Sequence, residues 1–297
     1  HWLYKLAEET PKEDLEDWEI MKQPGGVVKI NEKWEANPLA ENADNLVDGY
    51  YTKGCQGREE DWIRVNLANE YGFVSTGKPV HPRYIDSVHC RDLDFVPNID
   101  TTIVLGGDWG RTPAVSFMQK TSVGGWIVFD EFTSEGMSAV TFAPELAKYM
   151  KSTYPGFKFK GWGDPSGGSG GQATDDTPFK IMNANNIPFR PANSKNDPLL
   201  RRSAVEEPLT ELGMDGNPRL LILPKCKYIR KGLAGGFSYK RMLVSGEPKY
   251  QDVPDKTIYS HVCEALEYSL QGEGEGKVGI GQDFASKYDD WSKPLNG

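Results

Sequence analysis

TTIVLGGDWGRTPAVSFMQKTSVGGWIVFDEF, residues 101–132, is the stretch on which the fold turns. Its first eight residues carry a short apolar run that ends at Gly106-Gly107-Asp108. AVSFMQ and GGWIVFDEF supply two more strand-like segments, and Gly124-Gly125 between them reads as a hairpin turn. Three sequential antiparallel strands are expected.

Toward the C-terminus, SAVTFAPELAKYMKSTYPG (138–156) sets Phe142, Leu146, Tyr149 and Met150 at helical spacing and closes at Pro155-Gly156. FKFKGWGD (157–164) then alternates and ends at Asp164. Strand, strand, strand, helix, strand is the order of an α/β layer fold with a mixed sheet. Further elements follow: a helix at DTPFKIMNANN, a strand at IPFRPA, a helix at PLLRRSAVEEPLTELG and a strand at RLLILP. GGFSYKR and EPKYQDV suggest a basic hairpin about Ser245-Gly246, and DKTIYSHVCEALEYSLQG starts at an Asp or Thr cap and runs as a final helix. The glycine-rich, polar stretch from Gly272 is expected to be a flexible tail.

Residues 1 to about 95 offer one convincing amphipathic helix, REEDWIRVNLANEYG (58–72), and few strands. This stretch suits the last portion of a larger domain better than a self-standing one.

The whole chain has 297 residues, 38% of them hydrophobic, enough for a substantial core. It contains no run of 18 apolar residues, and its first thirty residues lack a secretory pattern, so a soluble intracellular protein is expected. Cys55, Cys90, Cys226 and Cys263 are scattered without a C-x-x-C pair, so neither a zinc knuckle nor a disulfide scaffold is suggested, and reduced thiols are the simplest expectation. A formal net charge of −9 argues at first against a nucleic-acid partner. Between Leu199 and Lys249, however, ten basic side chains face five acidic ones, consistent with either a local DNA-facing surface or ordinary solvated charge.

Asp108 and Asp164 each end a strand among glycines, where two acids can converge at one sheet edge. His261 and Glu264, three apart on the last helix, can project to the same side. Should that helix cross the sheet edge, three carboxylates would surround a space suited to hard divalent cations. Spacing alone leaves the plainer alternative open: turn or cap aspartates, a solvent-facing glutamate and a structural histidine.

In combination, LGGDWGRTPAV, WGDPSG and YSHVCEALEY, with the earlier QPGG at Gln23 to Gly26 and GYYTKG, resemble the large terminase subunit of tailed bacteriophages. The resemblance implies a ribonuclease H-like mixed α/β sheet flanked by helices, with an N-terminal partial subdomain. It divides the chain into 1–95, the end of the ATPase domain and linker; 96–271, the nuclease; and 272–297, the tail. It further implies a Mg²⁺- or Mn²⁺-dependent endonuclease, with two ions, that cuts double-stranded concatemeric viral DNA with little sequence preference. Portal protein and small terminase subunit are the implied partners. The implied location is the host cytoplasm, transiently at the procapsid portal, with no membrane.

By this resemblance Asp108, Asp164 and Glu264 match the three metal-binding acids, with His261 beside them in the catalytic set. Glu264 stands where aspartate is commoner. No G-x-x-x-x-G-K-[ST] segment occurs, so no ATP site is expected in this chain. Lys225, Lys227, Arg230, Lys231, Lys240 and Arg241, with Arg201 and Arg202, are the candidate DNA-backbone contacts. Asp130 and Glu131 are candidate supporting groups, although alternation sends them to opposite faces. The competing functions are a ribonuclease H-like resolvase or RNase on structured substrates, and a non-catalytic module that docks to a portal.

Overall fold

The computed structural model describes residues 18–31, 33–41, 43–58, 60–70, 77–110, 112–168, 177–193, 196–242 and 249–276. The chain forms two compact units, His1–Val74 and Ser75–Gly297. The division falls ahead of residue 95 because the intervening segment packs with the sheet that follows. There Val80 and Tyr84 join the core, Cys90 bridges to Ile222, and the His89 ring hydrogen-bonds the Leu209 carbonyl oxygen at 2.9 Å.

The first unit holds an antiparallel hairpin, Val27–Ile30 with Lys33–Ala36, that the sequence reading did not anticipate. Its strands are mostly exposed, so they lack the alternating burial pattern by which a strand is recognised. The predicted 58–72 helix is shorter, Glu60–Asn66, with Ile63 buried. Just past its end, Asn69 has φ of 52°, a left-handed turn that stops the helix ahead of Gly72. Gly72 itself lies outside the described residues.

The second unit is built on a six-stranded mixed sheet. Its strands are β1 (Ile103–Asp108), β2 (Ala114–Lys120), β3 (Trp126–Thr133), β4 (Phe159–Gly163), β5 (Phe189–Pro191) and β6 (Leu220–Ile222). Spatial order is β5-β4-β1-β2-β3-β6. β1, β2 and β3 form the expected antiparallel meander, and Gly124 in its turn takes φ of 85°. β4 runs parallel to β1, β5 to β4, and β6 to β3. A central antiparallel meander extended by parallel strands beside β1, with helices on both faces, is a ribonuclease H-like sheet.

Side chains alternate across this sheet and separate two cores. Ile103, Leu105, Val115 and Phe117 face α1 (Ala139–Thr153) and α2 (Pro178–Ala184). Val104, Met118, Val128 and Trp162 face α3 (Pro198–Thr210) and α5 (Ile258–Gly272), the latter with Val262 and Leu266 buried. A short helix, α4 (Lys227–Lys231), precedes a π-turn at Gly232–Gly236.

The basic hairpin is present in part: Arg241–Met242 pairs with Lys249–Tyr250, while Ser238–Tyr239 pairs instead with Lys78–Pro79. Ser245-Gly246 lies outside the described residues. The expected flexible tail is corrected at its start, since Glu273 bonds Lys160 and Trp162 and Glu275 bonds Trp126 and Arg219. Residues 277–297 lie outside the described residues.

The packing of α5 on the sheet is unusually close at one point. A Cβ on Gly106 would stand 1.9 Å from the carbonyl oxygen of Ala265 and 2.6 Å from Ser116 Oγ. Only glycine permits that approach of helix backbone to strand. Gly106→Ala should therefore lower unfolding free energy by about 1–3 kcal/mol, the usual cost of overpacking. Urea denaturation of the two proteins checks this, and an unchanged midpoint would refute the close contact.

Candidate metal centre at the sheet edge

Alternation places Asp108 on the same face as Val104 and Gly106, toward α5. β4 lies beside β1 with Gly163 level with Gly107, and the Asp164 N–H donates to the Gly107 carbonyl at 3.2 Å. Both acids thus end neighbouring parallel strands at one edge. Helix α5 is fixed at its start by a capping box between Thr257 and Ser260, and it delivers His261 and Glu264 to the same place.

Ligand atoms of Asp108, His261 and Glu264 all lie within 4.8 Å of one another. His261 Nδ1 is 2.6 Å from Asp108 Oδ2, a hydrogen bond in which the imidazole donates to the carboxylate. Asp108 and Glu264 are buried, and His261 is half-buried. Asp164 stands outside this cluster, although sequence reasoning placed it among the metal acids. Its Oδ1 accepts from the Ser166 N–H at 2.9 Å and from Asn196 Nδ2 at 3.2 Å.

Cations already face Glu264. Arg201 Nη2 donates to its Oε1 at 3.1 Å, and Lys256 Nζ pairs with its Oε2. Burial, followed by the nearby charge of Asp108, raises the Glu264 pKa, and Arg201 and Lys256 oppose that rise. Each carboxylate oxygen offers two lone-pair sites, so acceptor capacity remains on both oxygens. Two buried carboxylates with a third acid on the next strand form an oxygen-rich set that fits a hard divalent cation.

Arg201 requires correction as a DNA contact. It is only 6% exposed, and its guanidinium is spent on Glu264, Glu267, Asn196 and Tyr268. The amphipathic pattern of α3 could not show this, because most of these partners are far along the chain. Arg202 is half-buried, with its guanidinium 5.5 Å from the Tyr239 ring centroid. Arg230 is held by both oxygens of Asp86, at 3.1 and 2.7 Å. Lys225, Lys227, Lys231, Lys240 and Arg241 are exposed; Lys225 lies 3.6 Å from Asp130, and Lys240 pairs with Asp255 at 2.9 Å. Sequence reasoning missed Lys256 and Asn196. Lys256 sits just ahead of the helix cap, where only the folded position of Glu264 reveals its partner.

Asp130 and Glu131 diverge as alternation requires, and neither belongs to the cluster. Asp130 accepts from the Tyr149 and Tyr154 hydroxyls on the α1 face. Glu131 accepts from the N–H groups of Tyr228 and Ile229 at 2.7 and 2.8 Å, so it anchors the start of α4.

No protein-family model and no curated protein matches the chain. Among solved structures it is similar to the large terminase from a thermophilic bacteriophage, at 16% identity and a TM-score of 0.47. That match covers 76% of this chain and 51% of that chain, so the present chain spans about half the length of this neighbour. It is also similar to the P22 large terminase nuclease domain, at 11% identity and a TM-score of 0.46, over 67% of this chain and 93% of that one. Both neighbours are large terminases, the family that the motifs resemble.

Burial pushes the Glu131 pKa up to about 7 against the lowering effect of its two N–H donors. A carboxyl that holds its proton more tightly when folded stabilises below its ordinary value of 4.5, and that contribution is lost as pH rises toward 7. Stability attributable to Glu131 should therefore fall between those limits. Glu131→Gln should flatten the dependence of the urea midpoint on pH over the same window. Equal slopes in the two proteins would exclude Glu131 as its source.

Proposed function

We propose that the second unit is a divalent-metal-dependent endonuclease, the nuclease of a large terminase, which cuts double-stranded concatemeric DNA during genome packaging. The observation that carries this reading is the buried cluster of Asp108, Glu264 and His261 at the end of β1, with Asp164 on the adjoining strand. The motif resemblance supports it independently, since the same residues match the acids of that family.

Asp108, Glu264 and Asp164 would hold Mg²⁺ or Mn²⁺, and His261 orients the Asp108 carboxylate through its hydrogen bond. When bound, two such ions supply an activated water and stabilise the leaving oxygen of a phosphodiester. The protein's own part is to keep the acids gathered and the edge open to a duplex. Exposed Lys225, Lys227, Lys231 and Arg241 would guide the phosphate backbone without reading bases. The first unit is, in this reading, the end of the ATPase motor domain. Portal protein and small terminase subunit are the proposed partners, at the procapsid in the host cytoplasm. No described helix is long and apolar enough to cross a membrane.

Supercoiled plasmid incubated with the protein and Mn²⁺ or Mg²⁺ should be nicked and linearised, and EDTA should stop the reaction. Asp108→Ala and Asp164→Ala should each reduce cleavage by at least about a hundredfold, in line with the loss of a group that stabilises the transition state. Full cleavage in both variants would remove the assigned site.

Nonspecific binding should weaken steeply with salt. Replacing Lys225 and Lys227 by Ala should shallow the slope of log K against log salt by about 2 if both touch phosphates. Filter binding across a salt series reads this, and an unaltered slope would take those lysines out of the DNA path.

A further inference from the structure

The buried Arg201 connects two of the proposed metal acids. Its Nη2 donates to Glu264 Oε1 at 3.1 Å. Its Nη1 donates to Asn196 Oδ1 and to the Tyr268 hydroxyl, each at 2.7 Å. Asn196 Nδ2 in turn donates to Asp164 Oδ1 at 3.2 Å and to the Tyr268 hydroxyl at 3.1 Å. One guanidinium therefore reaches Glu264 directly and Asp164 through a single amide.

The guanidinium is itself fixed from behind. Its Nε donates to Glu267, which is fully buried and whose other oxygen lies 2.9 Å from His81 Nε2. His81 is also fully buried, with Nδ1 3.3 Å from Glu206 Oε1. Glu206, His81, Glu267, Arg201 and Glu264 thus follow one another from α3 through the core to the sheet edge. Burying so many charges is costly unless each is paired and oriented. Structure alone would be served as well by apolar packing, whereas a rigid fork aimed at two carboxylates serves their placement.

We infer that Arg201 is a positioning residue that holds Glu264 and, by way of Asn196, Asp164 in fixed relation to Asp108. This rests on the metal-centre reading above. The planar guanidinium sets both distances at once, because its donors lie in one rigid plane. A lysine at the same position carries its donors on a single nitrogen and lacks the planar fork that spaces the bonds to Asn196 and Glu264.

Asn196→Ala tests the Asp164 arm without altering charge, and Asn196 is exposed, so the fold should survive its loss. Mn²⁺ binding is measured by electron paramagnetic resonance at constant ionic strength, with thermal unfolding in parallel, for wild type, Asn196→Ala, Arg201→Lys and Asp108→Asn. Asn196→Ala should weaken Mn²⁺ binding about tenfold and Arg201→Lys by more, within the 10–100-fold typical of groups that orient metal ligands. Asn196→Ala should unfold at the wild-type temperature. Wild-type Mn²⁺ affinity in Asn196→Ala and in folded Arg201→Lys, with Asp108→Asn deficient, would overturn the positioning role and leave the metal centre standing. Unimpaired Mn²⁺ binding in Asp108→Asn would overturn the metal centre and this inference with it.

Discussion

The distance between the last helix and the central strand is set by a missing side chain. Because Gly106 has no Cβ, the carbonyl oxygen of Ala265 comes down onto the strand itself. Ala265 follows Glu264 directly, so the contact that docks the helix also fixes how far Glu264 reaches across the edge. One turn nearer the helix start, His261 meets Asp108. A larger residue at 106 would lift the helix and separate groups that now share a few ångströms. Packing and chemistry are joined at that one position.

Burial, and after it the neighbouring charge of Asp108, raises the proton affinity of Glu264, and the protein counters this with cations rather than with solvent. Arg201 and Lys256 take the two oxygens of Glu264 from opposite sides of burial: Arg201 lies in the core, and the Lys256 side chain is 57% exposed. The deeper pair is held rigidly. The outer one rests on a long side chain at the surface, which keeps more rotamer freedom and can yield to a competing cation more readily. Such an arrangement limits repulsion with Asp108, and under the metal-centre reading its outer position would exchange for a divalent ion.

Much of this was legible in the sequence because it is local. The meander of residues 101–132, the capped final helix and the glycines around Asp108 each depend on neighbours within a turn or a hairpin. Asp108 and Asp164 end neighbouring strands and the last helix brings Glu264 to Asp108, places marked by short signals at strand ends and helix starts, although Asp164 stands outside that cluster. Pairings across long stretches of chain were not legible. Arg201 looked like a phosphate contact because amphipathicity reports burial of a face, not the identity of its partners. The mostly exposed hairpin at 27–36 carried no burial pattern to read, and His81 sits 186 residues from the Glu267 it touches.

The overall negative charge extends into the basic segment, where acidic partners take up part of its positive charge. Of the basic side chains between residues 199 and 249, Arg201, Arg219, Arg230 and Lys240 pair with carboxylates, and Lys225 lies 3.6 Å from Asp130. The arginine pairs hold α3, β6 and α4 in place around the sheet rather than project a field into solvent. Glu131 secures the start of α4, the backbone from which the exposed Lys227 and Lys231 extend. Under the proposed nuclease reading, so few exposed cations would favour loose contact with a phosphate backbone over base-specific binding.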